Sequence, residues 1–457
     1  MAEPEPRSGG FGLATSTFVV VSSMIGVGVL TTSGHTVAAV GSNQLMLGLW
    51  VVGGLVALCG ALTLAELSAA LPRSGGEYVI FLEAYGRLPA FLAGWVSFQF
   101  GFSAPIAASA SAAAGYLLAP LALGASAEGL ARPILGSACI LGFAAAHASG
   151  RARSVRLQGV VTVLELAFLV AFAGAGLLAG SGNFGHLDDR PPMTPRLAVD
   201  LLFALVYVSY GYTGWNAASY LAGEVADAPR TLPRAILLGT ALVTALYLAL
   251  NLVYALALPA TEVRALAGGG RPDAVDPIAQ LAASRLFGPV WADRLSVGVG
   301  LILLSTLSAY LLTGPRVTYA MAGAGQFPAI AGRLSRRTGT PVVATWLQAG
   351  WGLALLWTGS FNQLILYAGV GLSMASLLSV GAVYVLRARQ PDLPRPFLVP
   401  GYPWTPAVYL VANVALLGAV SVEAPGIAAC SALSILAGLP IYALMNRRPR
   451  RPSVLQE

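Results

Sequence analysis

The sequence predicts an all-α integral membrane protein with about twelve transmembrane helices, and composition is the first indication. The chain is 56% hydrophobic and 10% charged, with a mean hydropathy of +0.74, whereas a soluble domain carries roughly a quarter charged residues. Apolar stretches of about 20 residues, enough to cross a bilayer as a helix, recur along the whole length. Continuous apolar stretches of this length predict helices, not the strands of a membrane β-barrel, in which apolar and polar residues alternate.

Twelve spans are predicted in order, at about 13–38, 44–71, 89–120, 133–149, 155–180, 198–222, 233–258, 291–322, 341–358, 362–388, 404–421 and 425–445. A short amphipathic stretch that runs through Gly86 follows the second span, and we expect it to lie along the cytoplasmic face. The polar outer loops 181–197 and 259–290 contain proline and glycine, so we expect them to cover the extracellular mouth.

Glycine residues interrupt two of these spans. The first span contains Gly26-Val27-Gly28 and the sixth contains Gly211-Tyr212-Thr213-Gly214. Unwound backbone cannot face lipid, so it must line a cavity or be buried in protein. Breaks at corresponding positions of two halves indicate a transporter binding site and a five-plus-five inverted repeat, here followed by two accessory helices. The alternative is that the glycines only allow close helix packing.

Arginine residues predict the orientation. All 26 basic residues are arginine, and most fall on the side of the amino terminus when it is placed inside. This positive-inside bias predicts a multi-pass protein of the cell membrane with both termini in the cytoplasm. We expect one membrane domain over 1–457, with 1–12 and 446–457 as cytoplasmic segments and no signal peptide. The net charge of +7 then reflects topology and contact with lipid headgroups rather than nucleic acid.

Several classes of chemistry have no basis in the sequence. Cys59, Cys139 and Cys430 lie in apolar spans without metal-ligand spacing, and the three histidines are far apart. No glycine-rich loop with its lysine is present to hold a phosphate. We therefore expect no metal, no cofactor and no direct ATP coupling. The absence of a nucleophile–base constellation argues against an enzyme, and the two breaks favour an occluded site over an open pore.

Five motifs occur in order over most of the chain. They read S23-M-I-G-V-G-V-L30, A65-E-L-S-A-A-L-P-R-S-G-G-E-Y78, Y210-G-Y-T-G-W-N216 with E224-V-A-D-A-P-R-T-L-P-R234, G314-P-R-V-T-Y-A-M321, and L386-R-A-R-Q-P-D-L-P-R-P-F397. With these motifs the chain resembles the amino acid–polyamine–organocation superfamily, within its L-type amino acid transporter-like branch. The resemblance implies a secondary transporter of amino acids with broken helices 1 and 6, working by alternating access.

The resemblance implies that the two breaks bind a zwitterionic amino acid. Backbone N–H groups of the half-helix that starts near Gly28 would bind the carboxylate, as helix amino-termini bind anions. Free carbonyls before the first break, and others at the second, would accept the ammonium. The predicted substrate-binding residues are Ser23, Met24, Ile25, Gly26, Val27, Gly28, Tyr210, Gly211 and Thr213.

Two of these residues depart from the family pattern. Val27 replaces the usual serine, which removes one side-chain hydrogen bond but keeps the backbone donors. Thr213 stands where the L-type branch usually has glycine, so its methyl and hydroxyl groups should narrow the pocket or add a polar contact. We therefore expect small to medium neutral amino acids. Tyr210 aligns with the family's aromatic gate, which covers the substrate from outside; the alternative is a packing tyrosine.

Glu165 is the predicted coupling residue. It lies about a dozen residues into the fifth span, or ~18 Å along the helix, near the bilayer midplane. An ionisable residue at that depth is costly and is by default a functional hypothesis. Sodium-independent relatives usually carry lysine here, so the charge is reversed. Glu165 could exchange a proton, bind a cation or pair with a substrate ammonium; the alternative is a permanently protonated carboxyl, because burial disfavours its charged form.

Three charged residues are candidates for a cytoplasmic ion-pair gate. Glu66 lies near the inner end of the second span, Glu224 lies just after the sixth, and Arg316 lies near the end of the eighth. The alternative is ordinary interfacial charge. Relatives often have two adjacent acids where this chain has Gly223 and Glu224, so the network would be reduced. Ser305 and Thr306 could face a cation site, although hydroxyls in spans usually bond their own backbone.

The expected partners are a small-molecule substrate and the lipid bilayer. The driving force would be a proton gradient or exchange against an internal amino acid. The alternative function is an amine or polyamine permease of the same fold, in which Glu165 binds the substrate ammonium. L-type relatives can pair with a single-span subunit through a cysteine. The outer loops of this chain contain no cysteine, which argues against a disulfide-linked partner.

Overall fold

The structure is a computed structural model that describes residues 11–446 except 27, 74, 122, 179–181, 190–194, 269–276 and 360. The described helices are α1 (Leu13–Met24), α2 (Ser33–Val40), α3 (Asn43–Ala70), α4 (Glu77–Tyr85), α5 (Arg87–Val96), α6 (Ala104–Leu118), α7 (Ala125–Ala148), α8 (Arg151–Leu178), α9 (Leu197–Gly211), α10 (Ala217–Tyr220), α11 (Ala228–Ala257), α12 (Ala260–Gly268), α13 (Ile278–Phe287), α14 (Pro289–Gly323), α15 (Val342–Thr358), α16 (Phe361–Arg389), α17 (Trp404–Glu423), α18 (Pro425–Leu436) and α19 (Gly438–Asn446). Two π-helical turns, Gly28–Thr32 and Ser97–Ser103, precede α2 and α6.

The predicted all-α membrane fold is confirmed. Every predicted span coincides with helix in its described part, and in the portion of the chain that the structure describes ten helical segments are long and apolar enough to cross a membrane. The other two, α9 and α15, are apolar helices of 15 and 17 residues. Helix α9 is short because the second break ends it at Gly211. Among the described residues, the only strand-like feature is an isolated parallel bridge between Phe11 and Val225.

Helices five spans apart pack against each other. The second half of the first span, α2, packs on α9 of the sixth; α3 packs on α11, α6 on α14, and α7 on α15. This pairing brings the second predicted half of the chain against the first. The buried apolar side chains form one large cluster that extends from Val20 in α1 to Val420 in α17. The two interrupted spans lie within that cluster.

The segment between the second and third spans differs from its prediction. We expected an amphipathic stretch along the cytoplasmic face, but α4 is buried on more than one side. Six of its nine residues are buried: Glu77, Tyr78, Val79, Ile80, Phe81 and Ala84. The run Val79-Ile80-Phe81 has no polar face to present to water, and α4 instead packs against α5 and α16.

The loops predicted at 181–197 and 259–290 meet at the start of α3. Asp189 accepts hydrogen bonds from the Ser42 hydroxyl (2.8 Å) and the Asn43 backbone N–H (2.5 Å), so it caps the amino-terminus of α3. The Asn43 amide in turn donates to the carbonyl of Leu258, 3.0 Å away. The loop predicted at 259–290 contains two short helices, α12 and α13, joined by an ion pair between Glu262 and Arg285.

Candidate functional site at two interrupted helices

The first break separates α1 from the π-helical turn that leads into α2. Ile25 leaves the helix with an extended conformation (φ −69°, ψ 127°), while its N–H still bonds the Val21 carbonyl. Gly26 and Gly28 flank the break, as glycine's weak helix propensity favours. Ser23, Met24, Ile25, Gly26 and Gly28 are all buried. The predicted site residue Val27 lies outside the described residues.

The second break separates α9 from the single turn of α10. Gly214 has φ +103°, a conformation that side chains other than glycine rarely adopt. Thr213 turns back on α9: its N–H and its hydroxyl both donate to the Tyr210 carbonyl, at 3.0 and 2.7 Å. The two lone pairs of that carbonyl are therefore both used. A contact between the Tyr210 carbonyl and a ligand ammonium stays a prediction, and it would require one of these two hydrogen bonds to open.

The two breaks touch through their backbones. A β-carbon added to Gly28 would lie 2.4 Å from the Cα of Gly211. One added to Gly214 would lie 2.3 Å from the Ser23 carbonyl oxygen. Both distances are shorter than real β-carbon contacts, so glycine is required at Gly28 and Gly214 for the breaks to approach this closely. The predicted residues of the first and sixth spans thus form one cluster.

The sequence had suggested that the carbonyls that end α1 are free, but in the structure each of them accepts a hydrogen bond. Side-chain hydroxyls donate to each of them: Tyr310 to the carbonyl of Ser23 (3.5 Å), Tyr247 to that of Met24 (2.5 Å), and Thr306 to that of Ile25 (2.9 Å). Each carbonyl oxygen has two lone pairs, and among the described residues one hydroxyl donates to each of them. The hydroxyls satisfy backbone groups that the break would otherwise leave unpaired in the protein interior.

Small cavities lie beside the second break. One of 50 Å³ is lined by Tyr210, Thr213 and residues of α3, α16 and α17, and one of 30 Å³ is lined by Ser23, Gly214 and Tyr310 among others. One water molecule takes up about 30 Å³ in the liquid. Both cavities are therefore too small to hold an amino acid. The site is therefore occluded in this conformation, and a substrate needs the surrounding helices to move apart.

Glu165 on α8 faces α14 from a fully buried position, with 0% of its surface exposed. Its Oε2 accepts a hydrogen bond from the Ser305 hydroxyl at 3.0 Å, and its Oε1 has no hydrogen-bond partner among the described residues. Ser305 is adjacent to Thr306, which bonds the first break. Glu165 therefore reaches the break through two consecutive side chains of α14. The sequence analysis named the hydroxyls of Ser305 and Thr306 as possible cation ligands but assigned no role to them.

Glu66 lies apart from the other two predicted gate residues. Its carboxylate is 1% exposed and accepts hydrogen bonds from Arg387 Nε (2.9 Å) and Nη2 (2.6 Å) and from the Val399 N–H (2.7 Å). Arg395 lies 3.6 Å away. Glu66 thus ties the end of α3 to α16 and to the segment that follows it. The structure does not bring Glu66 to Arg316.

Glu224 and Arg316 do meet. Arg316 Nε lies 3.3 Å from Glu224 Oε1, and the two side chains are 19% and 23% exposed. The backbone of the same segment holds the start of the described chain, since Phe11 N–H donates to the Glu224 carbonyl (2.8 Å) and Ala226 N–H donates to the Phe11 carbonyl (3.0 Å). An ion pair and a β-bridge therefore close this end of the bundle between α10 and α14.

Sequence reasoning missed Glu77, at the start of α4. It is 2% exposed and accepts hydrogen bonds from the hydroxyls of Ser379 (2.9 Å) and Tyr220 (3.2 Å). Burial raises the pKa of the Glu77 carboxyl above its ordinary value, and hydrogen bonds from Ser379, Tyr220 and Asn216 oppose that rise. Its place in the quoted motif that ends at Tyr78 was the available signal. Glu77 thus connects α4, α10 and α16.

A helical membrane protein with two interrupted helices that meet at buried glycines has the architecture of a secondary transporter. The comparison with known families agrees: residues 11–445 match the amino acid permease family. The chain belongs to that family, and it is a multi-pass membrane protein of amino acid transport.

Its relatives include transporters from animals and bacteria. The chain is 28% identical to Asc-type amino acid transporter 1 of Homo sapiens, over 95% of this chain and 81% of that protein. It is 28% identical to the serine/threonine exchanger SteT of Bacillus subtilis, over 96% and 97% of the two chains. It is 27% identical to large neutral amino acids transporter small subunit 2 of Homo sapiens, over 97% and 83%.

Proposed function

We propose that this protein is a secondary transporter of small to medium neutral amino acids that works by alternating access. The contact between the glycines of the two breaks carries the proposal, because it places two sets of unwound backbone around one buried position. The name of one relative, a serine/threonine exchanger, supports small neutral substrates, whereas another relative is named as a transporter of large neutral amino acids. Transport without covalent chemistry is sufficient to explain such a site.

Backbone groups would recognise the charged part of the substrate. The π-helical turn at Gly28 begins a new helical segment, so its first N–H groups and the positive end of its dipole suit a carboxylate. A carbonyl oxygen can accept two hydrogen bonds, so those of Ser23, Met24 and Ile25 would each accept from an ammonium beside the hydroxyl that already bonds it. This recognition depends on the α-amino and α-carboxyl groups, which all amino acids share. It leaves selection among side chains to the surrounding residues.

Thr213 and Tyr210 are the proposed determinants of size and access. Thr213 lines both small cavities, so its methyl group reduces the space beside the break. Tyr210 is 4% exposed at the end of α9, where a ring that moves with α9 could cover the substrate from outside. A pocket bounded in this way favours alanine- to threonine-sized side chains over large aromatic ones.

Glu165 is the proposed coupling residue. A proton or cation bound at its Oε1 would change the charge of a buried carboxyl that is hydrogen-bonded to Ser305. Thr306, the next residue, holds the Ile25 carbonyl at the first break, so a shift in α14 at this position would be felt at the substrate site. Proton-coupled uptake and exchange against an internal amino acid both remain within the proposal.

Closure toward the cytoplasm is assigned to Glu224, Arg316 and Glu66. In this conformation the Glu224–Arg316 pair joins α14 to the segment after α10, so that pair must separate when the site opens inward. Glu66 acts through a second ion-pair cluster with Arg387 and Arg395. We assign the protein to the cell membrane with both termini in the cytoplasm, because most arginine residues lie on the same side of the membrane as the termini and cytoplasmic loops are rich in basic residues.

One observation favours a second candidate function, an amine or polyamine permease. The Oε1 of Glu165, for which the described part of the chain provides no hydrogen-bond partner, could bind a substrate ammonium directly. Uptake by purified protein in proteoliposomes distinguishes the two. We expect labelled alanine to be taken up, and putrescine not. Uptake of putrescine alone would show that the carboxylate site is unused and would replace the proposed function with the second one.

A further inference from the structure

An apolar groove of 370 Å³ lies between α8, α13 and α14, away from the two breaks. One wall consists of four residues of α8: Phe168, Ala171, Phe172 and Ala175. Phe172 is buried, whereas Ala171 and Ala175 are exposed, so the groove opens on the side of the helix bundle. Among the described residues that line it, Arg294 of α14 is the only charged one. The groove is thus an apolar site with a single positive charge.

The side of the bundle that carries the groove faces lipid. Helices α8 and α14 are both candidate membrane spans, and each exposes large apolar side chains, such as Val170 on α8 and Val290 on α14. Ordered water does not suit such a groove, because a bound water molecule needs several polar partners. The occupant therefore has to be largely apolar.

Arg294 lies at the depth where the polar part of the bilayer begins. The next charged residue along α14 is Arg316, and the 21 residues between them, 295–315, carry no charge. The 22 steps from Arg294 to Arg316 correspond to about 33 Å of helix, close to the thickness of roughly 30 Å of the hydrocarbon core. Trp291, one turn before Arg294, is of the type that is enriched at this interface. One end of the groove is therefore level with lipid headgroups.

The geometry of Arg294 suits a phosphate. Its Cζ lies 5.1 Å from the centroid of the Trp291 ring, and both residues line the groove. Stacking on an aromatic ring uses the face of the guanidinium, while its N–H groups point outward in the plane of the group. Two of those N–H groups match two oxygens of a phosphate. Asp293 precedes Arg294 in the chain but is not among the residues that line the groove.

The groove is closed toward the middle of the membrane. A β-carbon on Gly298 of α14 would lie 2.5 Å from Cε2 of Phe168, so α8 and α14 touch there. Gly298 is four residues after Arg294, or about 6 Å further along the helix. Toward the other end, Ala175 and Phe287 line the groove. This space suits the first part of an acyl chain, and the rest of the chain would continue in the surrounding lipid.

We infer that this groove binds a phospholipid, with the phosphate on Arg294 and the start of one acyl chain between α8 and Trp291. The inference goes beyond the proposed function and does not depend on it. The combination of an apolar groove and a guanidinium at headgroup depth carries it. Every glycerophospholipid has its phosphate next to its acyl chains, so one molecule satisfies both parts of the site.

Charge argues for a lipid over a helix of another protein chain. A transmembrane helix in the groove would have to place an acidic side chain at the depth of Arg294, and such residues are rare in spans. A phospholipid brings its negative charge to that depth in every case. The contact between Gly298 and Phe168 also interrupts the groove within about two turns, which is too short a surface for a spanning helix.

The test measures lipid binding to purified protein by native mass spectrometry, with dioleoylphosphatidylglycerol added stepwise. Ala171→Trp fills the groove, and Arg294→Gln removes the charge that binds the phosphate. The matched controls are Ala145→Trp, at an exposed position of α7, and Arg264→Gln, at an exposed position of α12. Dioleoylglycerol, which has the chains without the phosphate, and inorganic phosphate, which has no chains, are the comparison ligands.

We expect wild type and both controls to retain one phosphatidylglycerol molecule. Its apparent Kd should rise at least about tenfold in Ala171→Trp and in Arg294→Gln, and both comparison ligands should bind wild type at least about tenfold more weakly than the phospholipid. An unchanged Kd in folded Ala171→Trp would overturn the inference. An unchanged Kd in Arg294→Gln, or equal binding of dioleoylglycerol, would overturn the assignment of the phosphate to Arg294.

The melting temperature gives a second readout that needs no transport. A ligand that binds only the folded protein stabilises it by mass action. Phosphatidylglycerol should therefore raise the melting temperature of wild type and of Ala145→Trp more than that of Ala171→Trp, and equal rises would contradict the site. A wild-type complex of two chains that Ala171→Trp converts to single chains would show that a second copy fills the groove, and would overturn the lipid assignment.

Discussion

Gly28 and Gly211 belong to different interrupted helices, yet their backbones are in direct contact. A β-carbon on Gly28 would lie 2.4 Å from the Cα of Gly211, and one on Gly211 would lie 2.8 Å from Cη2 of Trp50. No side chain fits between the two breaks. The N–H groups that begin the π-helical turn and the carbonyls that end α1 are therefore held at one place, which is the arrangement a zwitterionic ligand needs.

Thr213 should control the size of the accepted substrate. Thr213→Gly removes the methyl group from the cavity wall and the hydroxyl that donates to the Tyr210 carbonyl. We expect the ratio of kcat/KM for leucine to that for alanine to rise about tenfold, the range that small changes in an apolar pocket produce. Initial uptake rates in proteoliposomes measure it. Thr213→Ser keeps the hydroxyl, so a rise in that variant would identify the methyl group as the cause; an unchanged ratio in Thr213→Gly would contradict the assignment.

Glu165 should determine the pH dependence of uptake. Glu165→Gln keeps the shape and the contact with Ser305 but cannot take up or release a proton. We expect the pH profile of alanine uptake to become flat and stimulation by an inward proton gradient to disappear. Glu262→Gln, which removes a partly exposed carboxylate of the short helix α12, is the control. A profile in Glu165→Gln that matches wild type would assign that carboxyl to structure alone.

Glu66 should matter for stability as well as for gating. Glu66→Gln leaves the partly buried Arg387 and Arg395 without their counter-charge, and breaking such a pair costs about 3 kcal/mol or more. We expect a clear fall in the melting temperature of the purified protein. Glu83→Gln disrupts the exposed pair with Arg73, which is worth at most about 1 kcal/mol. Equal falls in melting temperature for the two variants would show that the ion pairs of Glu66 stabilise the fold no more than an exposed pair does.

Glu77 should make stability depend on pH. The helix that carries it, α4, is not among the candidate membrane spans. Because burial raises the pKa of Glu77 in the folded protein, its contribution is fully present below the unfolded pKa and is lost as pH rises through the folded pKa. The melting temperature of wild type should therefore fall between about pH 5 and about pH 8 more than that of Glu77→Gln. Parallel curves for the two proteins would contradict this account.

The spans and the breaks could be predicted because their signals are local. Apolar runs of sufficient length must become helices in lipid, and paired glycines mark the points where α1 and α9 end. The hydrogen-bond partners could not be predicted in the same way. Tyr247 donates to the carbonyl of Met24 from 223 residues away, and nothing in either segment specifies that contact.

The ion-pair partners of the charged residues could not be predicted from the sequence either. Glu66, Glu224 and Arg316 were recognised as a group because all three lie near the arginine-rich end, but charge alone does not select partners. Because α3 packs against α16, Glu66 forms its ion pair with Arg387 and not with Arg316. Glu77 was overlooked because it begins a segment that seemed to be a surface helix. Its burial depends on α10 and α16, which are distant in sequence.

The most direct test of the central claim is uptake of labelled alanine by Gly28→Ala, with Gly48→Ala as control. A β-carbon on Gly48 meets nothing within 4 Å, whereas one on Gly28 collides with Gly211. Both proteins are purified, checked by melting curve, and assayed in proteoliposomes beside wild type. The account predicts that Gly48→Ala transports alanine normally and that folded Gly28→Ala does not. Wild-type uptake by Gly28→Ala would contradict the assignment of the substrate site to the two breaks.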